Sequence, residues 1–316
     1  MNKMSRKQFV TGMTATAASL SLGNTLTGAG RKASEKIKVC IFSKHLQFLD
    51  YADMARTAAE IGFAGVALTV RPGGHVLPEN VERDMPKAVK AVEQAGIKVY
   101  TITTRISDPD DVHTEKILKT ASDLGVKYYR MGSFRYDNSI SIDENLRKHR
   151  VTMERLAELN EKYNIHGAYQ NHSGTQVGAP VWDLWHLLKG LNPKWIGCQY
   201  DVKHATQEGG TAWPLGLRLL KDYIKFTANK DFRWFKEENG WRARHVPLGT
   251  GMVDFPAYFK LVKELRLTGP ISMHFEYPLG GANRGNREIT IPKREVVAAM
   301  RRDLGILWGW LEEYVS

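Results

Sequence analysis

The sequence predicts an α/β fold, a single (β/α)8 TIM barrel behind an N-terminal export segment, and three observations predict it. The chain has 316 residues, a length that suits one eight-fold barrel of about 250 residues or two ordinary domains. From Lys36 onward, short apolar runs alternate with longer amphipathic ones, as in βα units around a parallel sheet. Polar residues gather just after the apolar runs, at what would be the C-terminal mouth of a barrel.

The strands are expected at Ile37 to Phe42, Gly65 to Thr69, Lys98 to Thr103, Val126 to Met131, His166 to Tyr169, Ile196 to Tyr200, Tyr223 to Ala228 and Pro270 to His274. Helices are expected to follow them at Tyr51 to Ile61, Met85 to Ala95, Thr114 to Leu124, Asp143 to Tyr163, Trp182 to Leu188, Trp213 to Leu220, Phe255 to Leu265 and Lys293 to Tyr314. Gly96 and Gly125 stand just past two of these helices, where a left-handed residue turns the chain into the next strand. No Gly-x-Gly-x-x-Gly follows the first strand, which argues against an open dinucleotide-binding sheet.

With 42% hydrophobic and 25% charged residues, the chain is neither disordered nor collagen-like, and its two cysteines exclude a disulfide scaffold. Cys40 and Cys198 lie in separate apolar runs and read as buried thiols. Residues 1–30 read as a targeting segment, with Lys3, Arg6 and Lys7 ahead of the small apolar run Met13 to Leu26. The string Ser5-Arg6-Lys7-Gln8-Phe9 resembles a twin-arginine export signal, with Lys7 in place of the second arginine. The expectation is an exported, periplasmic protein whose barrel occupies residues 36–316. No later stretch is apolar enough for a membrane span, so no membrane anchor is expected. The net charge of +11 is dispersed among acids, which describes a solvated surface rather than a nucleic-acid stripe.

The candidate chemistry lies at the strand ends, in Ser43-Lys44-His45, Arg71 to His75, Arg105, Gln170 to Gly174, Asp201 to His204, Asn229 to Asp231 and Glu276. Asp201 and His204 form the sharpest pair, since a carboxylate ending a buried strand can hold a cation and an imidazole one turn later can ligate it or bind a hydroxyl. Capping of the next turn is the competing role for Asp201. Glu276 ends the apolar run Ile271 to Phe275 and needs a cation or donor to offset its desolvation, or else a salt bridge to Arg284 or Arg287. His274 reads as structural. Gln170 and His172 share one face if the strand extends that far, and with Asn171 they offer groups for a metal or for sugar hydroxyls. Lys230, beside Asp231, is a candidate clamp for a developing enolate. His75, Arg105 and His245 are candidate substrate contacts, and Trp213 and Trp234 offer indole faces to a sugar ring.

The order Asp201-x-x-His204, Lys230-Asp231, Val246-Pro247-Leu248-Gly249-Thr250-Gly251-Met252-Val253-Asp254-Phe255, then Glu276 resembles the xylose-isomerase-like barrel superfamily, closest to its sugar phosphate isomerase/epimerase branch. The resemblance implies one divalent cation, often manganese, with cobalt, magnesium or zinc as alternatives. Its ligands would be a Glu after the fifth strand, an Asp after the sixth, a His on the seventh and a Glu on the eighth. Asp201 and Glu276 match. Gln170 stands at the first glutamate and Ala228 where the histidine belongs, so His172, His204 or His245 would have to supply an imidazole. Epimerases of the family use both glutamates as paired acid and base. An amide cannot take a proton, so one obvious carboxylate base remains.

The expectation is therefore a metal-dependent sugar isomerase or epimerase-like enzyme that removes a proton beside a sugar carbonyl through an enediolate. Catalysis falls to Glu276, His204 and Lys230, with Gln170, Asp201, Glu276 and His172 at the metal. Two other readings stay open: a lyase eliminating the C1 substituent of a 3-keto-glycoside, and a carbohydrate-binding barrel without chemistry. A nuclease related to this fold would need a larger His and carboxylate cluster than the strand ends supply. The expected partner is a small sugar or glycoside, and a homo-oligomer is compatible with the sequence.

Overall fold

The computed structural model describes residues 37–315; the export-segment reading of residues 1–30 lies outside the described residues. Eight parallel strands close a barrel: β1 (Val39–Phe42), β2 (Gly65–Thr69), β3 (Lys98–Thr103), β4 (Tyr128–Arg130), β5 (His166–Gln170), β6 (Ile196–Asp201), β7 (Ile224–Asn229) and, after an intervening hairpin, β10 (Ile271–Met273). Each strand pairs with its neighbours in sequence order, and β1 closes the ring on β10 through Val39↔Ile271, Cys40↔Ser272 and Ile41↔Met273. The expected barrel is thus the observed one, with strand limits shifted by one or two residues.

Helix limits follow from local chemistry. Asp50 accepts the Asp53 N–H at 2.8 Å ahead of the helix Tyr51–Ile61, and Gly62 ends that helix at φ +111°, so a carboxylate satisfies the first turn and a left-handed glycine the last. Ser141 and Asp254 cap Ile142–Lys162 and Phe255–Glu264 in the same way. Gly96 and Gly125 take φ of +77° and +76°, the role expected of them.

Alternation along the strands divides the core in two. Val39 and Ile41 face the helices in one large apolar cluster, whereas Cys40, Phe42 and Ala67 pack with Tyr100 in a small separate one, inside the barrel. Both cysteines are free and buried, and burial pushes the Cys40 thiol up to about 12. Among the described residues no helix is long and apolar enough to cross a membrane.

One element was not expected. Asp231–Glu237 and Gly240–Val246 form an antiparallel hairpin, β8 and β9, standing off the barrel between β7 and the helix Phe255–Glu264. Alternating side chains and Asn239-Gly240 were its sequence signal, and Gly240 adopts φ +108° at the turn. Register pairs Phe232 with His245, Trp234 with Ala243 and Lys236 with Trp241, so these six residues share one face.

Candidate active site

Asp201 ends β6 fully buried and uses its two oxygens differently. Oδ1 accepts the His204 N–H at 3.2 Å and caps the helix Val202–Gly209. Oδ2 accepts from Gln170 Nε2 at 2.8 Å and lies 3.3 Å from Lys230 Nζ and 3.6 Å from His204 Nε2. The capping role and the site role therefore coexist in one carboxylate. Asn171 clips the strand ends together, accepting the Asp201 N–H at 2.7 Å and donating to the Asp201 carbonyl at 2.9 Å. Its amide is spent on architecture.

His204 Nδ1 accepts from the Ser173 N–H at 3.1 Å and lies 2.7 Å from Ser173 Oγ, which places the ring proton on Nε2. That Nε2 is buried without a hydrogen-bond partner. Burial, with Lys230, His172 and Lys203 nearby, holds the imidazole well below its ordinary pKa. His204 is thus a neutral donor beside the Asp201 carboxylate. The His172 ring lies against it at 3.9 Å between centroids and donates Nδ1–H to the Ser173 carbonyl.

Lys230 leaves the end of β7, and its ammonium sits 3.3 Å from Asp201 Oδ2 and 3.3 Å from Glu276 Oε2. Glu276, just beyond β10, also receives Lys44 Nζ at 3.0 Å on Oε1, and His245 Nε2 stands 3.2 Å from Oε2. Burial alone would raise the Glu276 carboxyl, but Lys230, Lys44, His274 and His245 outweigh it and hold it well below the usual carboxylate range. The same environment drives His245 down to about 3, burial first, so a carboxylate, an ammonium and a neutral imidazole face one another. His274 also faces the interior, packed on Phe42 at 4.6 Å with Nδ1 4.0 Å from Glu276. Two residues before Glu276 is the same side of an extended chain; the structural reading of His274 overlooked that parity.

The remaining candidates separate. His75 is buried, its Nδ1 near Ser43 and Thr69 hydroxyls at 3.1 and 3.2 Å and its Nε2 unpartnered. Arg105 is exposed on the rim. Trp213 packs against Tyr258 among the helices, while Trp234 is 39% exposed on the hairpin face that carries His245. Asp231 does not join its neighbour Lys230. It turns the other way and accepts N–H groups from Phe232, Gly249, Gly251 and Val253 at 2.8 to 3.3 Å, tying down the loop 247–254. A Cβ on Gly251 would come within 2.0 Å of the Asp231 carboxylate, so glycine is required there.

Lys44, Arg71 and Lys203 were named from the sequence only as members of strand-end segments, without a role of their own, and Arg130 was not named among the candidates; all four complete the mouth. Lys203 Nζ lies over Phe232 at 5.1 Å, and burial, aided by Lys230, lowers its ammonium to about 8. Arg130, an arginine inside the apolar run Val126 to Met131, was the readable signal among them. A separate apolar cavity of about 300 Å3, lined by Ile224, Tyr258 and Ile271, begins at the opposite ends of β7 and β10 and holds neither carboxylate nor imidazole.

The donor set does not fit a divalent cation. Asp201 and Glu276 do converge on one positive charge, but it is the Lys230 ammonium, 3.3 Å from each. A metal ion needs its oxygens within about 2.0 to 2.6 Å and would meet Lys230 and Lys44 at close range. Gln170 turns its NH2, not its oxygen, to Asp201. Among the described residues no three His, Cys, Asp or Glu side chains group as metal ligands.

The sequence profile of the xylose isomerase-like TIM barrel family matches residues 55–296. No curated protein matches. Solved structures share the fold at low identity. A 3-keto-D-glucoside 4-epimerase from E. coli, 15% identical, superposes with a TM-score of 0.60 over 86% of this chain and 99% of its own. For a D-allulose 3-epimerase from Methylomonas sp. the values are 15%, 0.62, 87% and 98%, and for an L-ribulose 3-epimerase 12%, 0.66, 88% and 95%. With the profile spanning most of the barrel and the strand order closing as it does, the chain belongs to the xylose isomerase-like TIM barrel family.

Proposed function

We propose that the protein is a sugar-carbonyl enzyme of the isomerase and epimerase type, working with one carboxylate base and a lysine electrophile. One observation carries this reading: the Lys230 ammonium bridging Asp201 and Glu276 at the C-terminal mouth, where this architecture places its chemistry. Glu276, ionised, takes the proton from the carbon beside the carbonyl. The C–H electron pair becomes the enediolate double bond, and the carbonyl pair moves onto oxygen. Lys230 and the free His204 Nε2–H are the donors for that oxygen. As Lys230 turns toward the oxyanion it relaxes its hold on Glu276, whose basicity then rises when the proton is taken.

Gln170 cannot act as a second base, so two-base inversion at one carbon is disfavoured. Return of the proton to the neighbouring carbon gives aldose–ketose isomerisation. Loss of a C1 substituent from the same enediolate gives elimination from a 3-keto-glycoside, the substrate class for which one structural neighbour, the 3-keto-D-glucoside 4-epimerase, is named. Export to the periplasm, where phosphorylated sugars are scarce, would favour the elimination.

The test is hydrogen exchange from D2O into a panel of ketoses and 3-keto-glycosides, with aglycone release followed in parallel. Glu276→Gln should slow exchange by about 10²- to 10⁴-fold, the usual worth of a general base. Dialysis against a chelator should leave exchange unchanged, because the cation between the carboxylates is covalently part of the chain. Loss of exchange on chelation, restored by manganese, would return the site to metal chemistry. Stoichiometric sugar binding without any exchange would leave a carbohydrate-binding barrel.

A further inference from the structure

We propose that the β2–β4 side of the mouth is a seat for a carboxylate, so that the sugar handled here is an acid sugar. The proposal rests on the mouth being the reaction chamber. Arg71 follows β2 and Arg130 ends β4, and their guanidinium carbons stand 5.4 and 5.9 Å from the centre of the buried Phe42 ring. Lys44 Nζ lies 5.5 Å from the same centre. Three cations thus share one aromatic ring, whose quadrupole offsets only part of their cost.

Both arginines are mostly buried. Among the described residues, neither guanidinium makes a hydrogen bond or ion pair. Charges this deep are ordinarily paired. Burial lowers both, Arg71 to about 10; Arg130 and Arg105 lower Arg71 further, and Arg105 lowers Arg130. The carboxylates of Glu276 and Asp201 attract them only from a distance, since Lys44, Lys230 and Gln170 already hold those oxygens. The open valence on this side calls for an anion brought by the ligand.

The donors favour a carboxylate over a phosphate. Phosphate sites characteristically add backbone N–H groups or a helix N-terminus. Here the loop after β2 spends its amides internally: Arg71 N–H on the Val76 carbonyl at 3.0 Å, Gly74 N–H on the Arg71 carbonyl at 2.8 Å, His75 N–H on Thr69 Oγ1 at 2.8 Å. Recognition is left to planar guanidinium forks, which match a carboxylate's two oxygens.

The experiment is calorimetric titration of the full-length protein with matched pairs: D-glucuronate against D-glucose, D-galacturonate against D-galactose, D-fructuronate against D-fructose, with D-glucose 6-phosphate as a further arm. At least one acid should bind about tenfold tighter than its neutral partner, as expected for a charge-assisted hydrogen bond. Arg71→Gln and Arg130→Gln should each erase most of that preference, and Arg130→Lys should restore part of it. Thermal unfolding guards against simple misfolding: Arg130→Gln should raise the midpoint by roughly 2–4 °C, because it removes an unpaired buried charge, whereas a structural arginine would lower it. Equal binding within every pair, or a preference that survives both glutamine variants, overturns the proposal. So does tighter binding of the phosphate than of any carboxylate. Glu276→Gln should keep the preference while losing exchange. Absence of exchange with an arginine-dependent preference therefore sinks the reaction and spares the carboxylate seat; exchange without the preference does the reverse.

Discussion

The two sides of the barrel mouth are built on opposite principles. From β5 round to β10, the carboxylates are engaged by neighbouring groups: Asp201 by Gln170, Lys230 and its own helix, Glu276 by Lys230, by His245 and by Lys44 reaching over from β1. On the β2–β4 side, the Arg71 and Arg130 guanidiniums lie over the Phe42 ring and, among the described residues, have no hydrogen bond or ion pair. Mutual pairing fixes the geometry of groups that must already be in place when a proton moves, and it offsets their desolvation. Unpaired charge destabilises the empty protein and stabilises whatever fills the gap, the usual stability cost of a binding site. On the proposed reading, one side is preorganised for chemistry and the other for capture.

The comparison breaks most sharply at Lys230. Replacing it in Lys230→Met leaves two carboxylates facing each other across the mouth with no cation between them. Turnover should fall by about 10²- to 10³-fold, the loss typical of one oxyanion donor. Glu276 loses the chief influence that lowers it, so its pKa rises and the acid limb of kcat/KM moves to higher pH. If Lys230→Met becomes active on adding manganese, the ammonium had been occupying a metal's place; if the acid limb stays fixed, Lys230 is not coupled to the base.

The second break concerns Asp231, adjacent in sequence but facing away. Its buried carboxylate accepts four backbone N–H groups, and Asp231→Ala strands them. With about 1–3 kcal/mol for each buried donor left unsatisfied, and partial relaxation of the loop, a destabilisation on the order of 3–5 kcal/mol is expected by denaturant titration. The loop carries no proposed substrate contact, so the surviving folded fraction should keep its kcat. A normal unfolding midpoint with lost turnover would instead place Asp231 in the chemistry.

These pairs also show what was legible in the sequence. The barrel was, because βα alternation is local and eight repetitions leave one closed solution. Asp201, Glu276 and Gln170 were legible because polar residues ending apolar strands have few structural uses. What the sequence hid was direction. Lys230 and Asp231 read as one pair, yet successive residues in extended chain point apart, and only one faces the mouth. Arg130 was passed over inside a strand, although an arginine there is as anomalous as a carboxylate. The cation between Asp201 and Glu276 was expected to be a metal, and the Lys230 ammonium lies 3.3 Å from each; spacing reports where carboxylates converge and not which cation lies between them. Trp213 and Trp234, alike in sequence, are a helix-packing residue and a hairpin residue, and no local pattern distinguishes them without the turn at Gly240.

The smallest expected effect lies on that hairpin. Phe232 and His245 sit at its base, where His245 meets Glu276 and Lys203 lies over Phe232. Strand alternation then carries the same face outward to Trp234 and Trp241, 39% and 65% exposed. At about 3.4 Å per residue, Trp234 stands roughly 7 Å beyond Phe232, too far for a monosaccharide held at Glu276 but in reach of a C1 substituent. Aromatic stacking worth about 0.5–1.5 kcal/mol means that Trp234→Ala should raise KM by about 2- to 12-fold for a bulky keto-glycoside. It should leave kcat and the binding of simple sugars unchanged. Equal losses on free monosaccharides would place the indole against the reacting ring, and no loss on any substrate would make the exposed face a surface for a second copy of the chain, which sedimentation of the Trp241→Ala variant would reveal as a shift toward monomer.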